Sequence, residues 1–340
     1  MINEEHKRPI LIWLYTGAFL VFAMVVIGGI TRLTNSGLSM VEWRLFMGSI
    51  PPLSDADWNE TFAKYKAFPE YQHINTEFTL VDFKGIFWWE YIHRILGRMI
   101  GIVFLIPFIF FLIRKWLDAR LIRQLLLMFF LGGLQGFLGW FMVASGLIDD
   151  PHVSHYRLAT HLTTAALLLA YIFWVAFGLN TERKARDVPV IVRSIAKLLL
   201  FLILFQTVYG AFVAGLRAGY IFNTFPKMGD EWIPQAVTSL DPWWSNFTEG
   251  MAGVQFIHRC MAFIILTVVG WLWATCSRAD LTKVQTIGLW LIIGATLIQF
   301  TLGVLTLLLS VPIPVAVMHQ VGAMLLLISV VYFLNRLRPT

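Results

Sequence analysis

Four histidines lie in long apolar stretches of this 340-residue chain, in two matched pairs: His93 with His161, and His258 with His319. His93 and His258 share the tripeptide Ile-His-Arg, at 92–94 and 257–259. A histidine inside a bilayer is costly unless it is coordinated or hydrogen-bonded, so each is a candidate for function. Two imidazoles on neighbouring parallel helices can fill both axial positions of an iron in a flat tetrapyrrole, and the pairing points to two such haem sites. Two other readings of the spacing stay open: helix-to-helix hydrogen bonds, and a zinc ion with a tight cluster of three or four ligands. Arg94 and Arg259, each directly after a histidine, could pair with a haem propionate or extend to the lipid headgroups.

The elements that must carry these residues are membrane helices. The chain is 58% hydrophobic and 14% charged, with a mean hydropathy of +0.72, whereas soluble domains are about a quarter charged. Eight apolar runs are long enough to cross a bilayer, at roughly 10–30, 91–113, 124–146, 157–179, 195–217, 255–276, 285–309 and 314–335. Basic residues gather in alternate connections, among them Arg114, Lys115, Arg120, Arg123, Arg183, Lys184, Arg186, Arg193, Lys197, Arg278 and Lys283. The positive-inside rule therefore places both termini in the cytoplasm and the haem sites toward the outer side. The net charge of +6 reports this topology and gives no reason to invoke nucleic acid; the basic loops suggest contact with membrane lipid. The first span follows a short polar start and lacks a small-residue cleavage site, as expected of a retained anchor in a bacterial inner membrane. Cys260 and Cys276 fall on one helix about 24 Å apart, too far for a disulfide.

The fold class expected is an all-α integral membrane protein, eight transmembrane helices arranged as two tandem four-helix bundles, 1–185 and 186–340. Gln135-Gly136-Phe137-Leu138-Gly139 in the third span matches Gln299-Phe300-Thr301-Leu302-Gly303 in the seventh, and Gly28 to Arg32 matches Gly210 to Ala214. Four spans per half keep the halves in one orientation, related by a pseudo-twofold axis along the membrane normal. The second, fourth, sixth and eighth spans then all enter from outside and carry their histidine within the first two turns, at one depth.

The halves differ around their histidines. Glu90 stands three residues before His93, where the second half has Gln255 before His258; Arg98 stands where the second half has Phe263. A carboxylate beside an iron site can move protons or stabilise a developing cation, which assigns chemistry to the first half and a permanent cofactor to the second. The plainer reading of Glu90 is an interfacial residue paired with Arg94. The long outer loops, about 31–90 and 218–254, hold Trp43, Trp58, Trp88, Trp89, Trp232, Trp243 and Trp244, read as a membrane-interface belt. His6, His73, His152 and His155 read as solvated surface residues.

Several strings together resemble the haem A synthase family: Gly28 through Ser39, Glu90 through Arg98, Tyr156-Arg157-Leu158-Ala159-Thr160-His161-Leu162, Phe256-Ile257-His258-Arg259 and Met318-His319-Gln320. The resemblance covers nearly the whole chain and implies oxidation of the C8 methyl of haem O to a formyl group by successive hydroxylations, supplying haem A to cytochrome oxidase. It implies haem O as substrate at His93 and His161, with Glu90 linked to catalysis. It implies haem b as cofactor at His258 and His319, with Arg94, Arg98 and Arg259 among the cofactor-binding residues. Cysteine pairs that some members carry in their outer loops are absent, so this chain resembles the cysteine-free branch. The haem O synthase as a physical partner, an electron donor of unknown identity and a homo-oligomeric state are left open. Two competing classes are a quinol-linked dihaem b electron carrier, which has no need of the Glu90 and Arg98 asymmetry, and a haem transporter or chaperone, whose release step four axial ligands would slow.

Overall fold

The computed structural model describes residues 4–41, 50–144, 146, 153–179 and 188–338. Trp43 and His152 lie outside them, as does the boundary expected near residue 185. The described residues form ten α-helices and no strand: α1 Glu4–Leu33, α2 Asp55–Lys66, α3 Pro69–His73, α4 Leu80–Ile113, α5 Ala119–Val143, α6 His155–Leu179, α7 Val190–Gly215, α8 Met251–Cys276, α9 Lys283–Leu308 and α10 Ile313–Arg336. All but α2 and α3 are long and apolar enough to span a membrane, as the hydropathy pattern requires. The protein is an all-α multi-pass membrane protein.

Helix starts are set by side chains that satisfy the first free N–H groups. Thr79 and Asp82 form a reciprocal capping box at α4, and Thr282 and Gln285 form another at α9. The Asp118 carboxylate accepts from Leu121 N–H to open α5. The cap at Thr79 starts α4 well before residue 91. His93 is therefore more than three turns inside its helix, while His161, His258 and His319 lie within about two turns of theirs.

The chain divides into two compact units. Phe19–His161 makes up the first, and the amino-terminal turns of α1 as far as Ala18 join Leu162 onward in the second. In the first unit, α2 and α3 fold the loop between α1 and α4 onto the long start of α4. Trp58, Phe62, Tyr65, Phe83, Ile86 and Phe87 are buried together there, with Tyr71 and Tyr91 packed against them. Trp58, expected in an interface belt, is instead 7% exposed in this cluster.

In the second unit the loop between α7 and α8 is a series of short 3₁₀ turns seated on α8. Buried Asn246 crosslinks it, accepting from Leu240 N–H and donating to the Leu240 and Trp243 carbonyls. Asn223 donates from the same loop to Leu307 O at the end of α9, where Ser310 and Val311 turn the chain with φ of 58° and 60°. At the other end of the unit Arg193 donates to Leu337 O, Gln285 to Arg336 O and Asn335 to Trp174 O. The C-terminal end of α10, the helix that bears His319, is thus tied to α6, α7 and α9.

Candidate functional site

His258 on α8 and His319 on α10 face each other in the second unit, with ring centroids 6.4 Å apart and planes at 78°. A metal–nitrogen bond of about 2 Å on each side plus about 1 Å to each ring centre sets two axial imidazoles roughly 6 Å apart. The rings therefore stand where one iron would fit between them. Five buried polar atoms gather near this pair or follow it on its helices without a hydrogen-bond partner: His258 Nδ1, His319 Nδ1, Gln206 Oε1, Gln299 Oε1 and Arg259 Nε. Unsatisfied buried groups at this density are what a missing ligand leaves behind. Among the described residues no group of three or more His, Cys, Asp or Glu side chains could enclose a metal ion. Two imidazoles suffice only where a macrocycle supplies the other donors, so the residues present fit a haem and not a zinc ion.

One second-unit residue that the sequence did not single out for function supports the pair. Gln206 on α7 donates to His258 O at 2.9 Å, and the same amide nitrogen lies 3.4 Å from His258 Nε2. An amide there constrains the orientation of the imidazole beside it.

In the first unit, Glu90 is 3% exposed and both of its oxygens are engaged. Oε1 accepts from Arg94 at 2.6 Å; Oε2 accepts from Ser39 Oγ at 2.7 Å and Met40 N–H at 2.8 Å. Arg94 donates in addition to Met40 O at 2.7 Å. Residues three and four apart share a helix face, so Glu90, His93 and Arg94 project together while the loop residues come to them from fifty positions away.

The second unit repeats this scaffold with its polarity inverted. Gln255 accepts from Arg259 through Oε1 at 3.1 Å, but its other end is an amide that donates to Ala218 O at 2.8 Å and Phe222 O at 3.3 Å. Arg259 donates to Phe222 O, Thr224 O and Lys227 O. Each Arg after its histidine thus holds the loop before its helix by the backbone. The carboxylate meets N–H and O–H donors, whereas the amide meets carbonyls. Arg98 lies one turn beyond Arg94 and is partly buried; its counterpart Phe263 packs on Phe225 and Phe300.

His155 departs from the expectation. It is 9% exposed and lies against Tyr156, ring centroids 4.1 Å apart, because α6 begins at His155 and draws it into the protein. His73 is exposed and His6 partly so. Near the first site the loop between α1 and α4 also buries Glu70, whose carboxyl is pushed up to about 7 by desolvation, against the hydrogen bond from Tyr65 and with the charge of Glu90 adding to the rise.

The sequence model of the family described as "Cytochrome oxidase assembly protein", COX15-CtaA, matches residues 11–331. The chain belongs to this family. Relatives named "Heme A synthase" extend the match to nearly full length. The one from Flavobacterium psychrophilum is 48% identical over 98% of this chain and 99% of its own. That of Flavobacterium johnsoniae is 46% identical over 98% and 99%, and that of Nitrosospira multiformis 44% over 98% and 94%. The family is thus the one the motifs resemble, and it spans both histidine pairs.

Proposed function

We propose that this chain oxidises haem O to haem A, with the substrate between His93 and His161 and a resident haem b between His258 and His319. Membership of the cytochrome oxidase assembly family and full-length similarity to haem A synthases support the reaction. The contrast between Glu90 and Gln255, two side chains in the same scaffold with opposite polarity, supports the division of labour.

The reaction takes a methyl carbon through two successive hydroxylations to a geminal diol, each using one O2 with two electrons from the donor and two protons, one oxygen atom entering the C–H bond and the other leaving as water; the diol then loses water to leave the formyl group. Positive charge develops at the carbon being oxidised. Glu90 is held as an acceptor by Arg94, Ser39 and Met40, so its negative charge is fixed in place and needs no rearrangement when that charge appears. His93 and His161 orient the substrate by its iron. The haem b, when bound at His258 and His319, supplies a one-electron redox centre.

The basic residues of alternate connections support a bacterial inner membrane location with both termini in the cytoplasm and the histidines toward the outer side. An electron donor and the enzyme that makes haem O are the partners this reading calls for.

Haem extracted from cells expressing the wild-type chain or Glu90→Ala, separated by chromatography and identified by mass, tests the assignment. Wild type should convert haem O to the formyl product and Glu90→Ala should leave haem O behind. Haem O unconverted by the wild type would overturn the enzyme reading and leave a dihaem electron carrier.

A further inference from the structure

Each of the four histidines lies against a glycine on the membrane helix that precedes its own. A Cβ added to Gly28 on α1 would meet His93 Nε2 at 3.1 Å, and one on Gly139 of α5 would meet His161 Cε1 at 3.4 Å. One on Gly210 of α7 would meet His258 Cε1 at 3.4 Å, and one on Gly303 of α9 would meet His319 Cε1 at 2.9 Å. The contacts are selective. Gly17 on α1, Gly132, Gly133 and Gly136 on α5, and Gly294 on α9 have no such neighbour, while Gly288 on α9 packs on Phe333 and Tyr332 as an ordinary helix contact. On each of these four helices one glycine meets an imidazole.

We propose that Gly28, Gly139, Gly210 and Gly303 are positioning residues, each a seat that fixes the rotation and depth of one haem-facing imidazole. The missing side chain lets each imidazole lie close against the neighbouring helix, with His93 Nε2 and Cε1 of His161, His258 and His319 the atoms nearest to it. A methyl at a seat pushes the ring off its line. How far depends on the gap: a contact at 2.9 Å forces a shift, one at 3.1 Å is nearly as tight, and 3.4 Å is ordinary van der Waals distance that a single methyl fills. Gly303 and Gly28 are therefore the sensitive seats, and Gly210 and Gly139 need a larger side chain before they act. The tasks given to each pair rest on the assignment of substrate to the first half and haem b to the second.

The experiment uses full-length protein purified from membranes: wild type, Gly303→Ala, Gly210→Ala, Gly210→Val and Gly28→Ala, with Gly294→Ala as the open-space control. The readouts are haem b per protein, the position of its low-spin band, and haem A formed in the cell. Gly303→Ala should lose roughly tenfold or more in haem b retention or shift the low-spin band, as removing a support of a metal ligand does. Gly210→Val should do the same, and Gly210→Ala should fall short of both. Gly303→Ala indistinguishable from Gly294→Ala would overturn the proposal. Should Gly303→Ala fail to accumulate, Gly210→Val against Gly210→Ala decides, and equal spectra in those two would overturn it. Gly28→Ala should keep its haem b and lose haem A formation. If instead Gly28→Ala loses haem b and Gly303→Ala keeps it, the seats stand and the assignment of the halves falls.

Discussion

Arg94 and Glu90, one turn apart on α4, form a 2.6 Å ion pair with side chains only 8% and 4% exposed. Isolating either charge at that depth is costly, because the partner left behind has lost both water and its counter-ion. Arg94→Ala should destabilise the first unit by about 3–5 kcal/mol, read as a lower melting temperature of the purified protein. The double variant Arg94→Ala with Glu90→Gln should recover part of that loss. Strictly additive effects would mean that the two side chains do not act as a pair.

Glu90→Gln alone probes the polarity of the site. Its amide would turn N–H donors toward Ser39 Oγ–H and Met40 N–H or toward Arg94, and none of these is an acceptor carbonyl of the kind that serves Gln255. Haem A formation should drop by about 10²–10³-fold while haem b content stays at the wild-type level. A variant retaining wild-type haem A formation would show that the carboxylate charge has no part in the oxidation.

At the second pair, His258→Ala and His319→Ala each remove one of two facing donors, with no third His, Cys, Asp or Glu cluster nearby among the described residues. Each should deplete the purified protein of low-spin haem b, whereas His93→Ala and His161→Ala should leave that haem in place and abolish conversion of haem O. Full haem b in both second-pair variants would reverse the roles of the halves.

The spans were legible because hydropathy alone decides them, and the seventh, expected at 285–309, is observed as α9 at 283–308. The start of α4 was not. Between Leu80 and Glu90 the apolar face, Phe83, Ile86 and Phe87, packs on α2 and α3, so the helix continues past the hydrocarbon under a protein cover that a membrane-length rule does not anticipate. His155 failed for a similar reason, since a polar connection can still fold inward at a helix start. The histidine pairs and the Glu90 to Gln255 exchange were readable from the repeat. Their partners were not, because Ser39 and Met40 reach Glu90 across some fifty residues. The glycine seats lay in plain view in both repeat alignments, but only three-dimensional contact separates Gly139 from Gly136.

Glu70 gives the loop between α1 and α4 a pH dependence. Its folded pKa of about 7 lies above the ordinary value of 4.5, so the neutral form is the one that folding favours. The stability this contributes is fully present below about pH 4.5 and is lost as pH rises through 7. Limited proteolysis of the 50–79 segment should accelerate from pH 6 to pH 8 in the wild type, and Glu70→Gln, which stays neutral and keeps an acceptor for Tyr65, should flatten that rise. A steeper profile in Glu70→Gln would mean that the buried carboxyl is stabilised as an anion.

The loop between α7 and α8 is fastened to α8 at a close approach. The Asn246 carbonyl oxygen lies directly where a Cβ on Gly253 would sit, while the Asn246 side chain closes the loop through Leu240 and Trp243. Gly253→Ala must lift that backbone off α8, at a cost of about 1–3 kcal/mol for the overpacking. Gln255 and Arg259 hold the same loop through Ala218, Phe222 and Thr224, so lifting it strains the turn of α8 that leads to His258. The variant should be cleaved faster within 218–250 and should release haem b more readily on dilution in detergent. Asn246→Ala, which removes the side-chain crosslink and adds nothing at Gly253, should speed cleavage with a smaller effect on haem release. Equal haem retention in Gly253→Ala and wild type, with cleavage accelerated, would show that the loop covers the site without supporting its histidine.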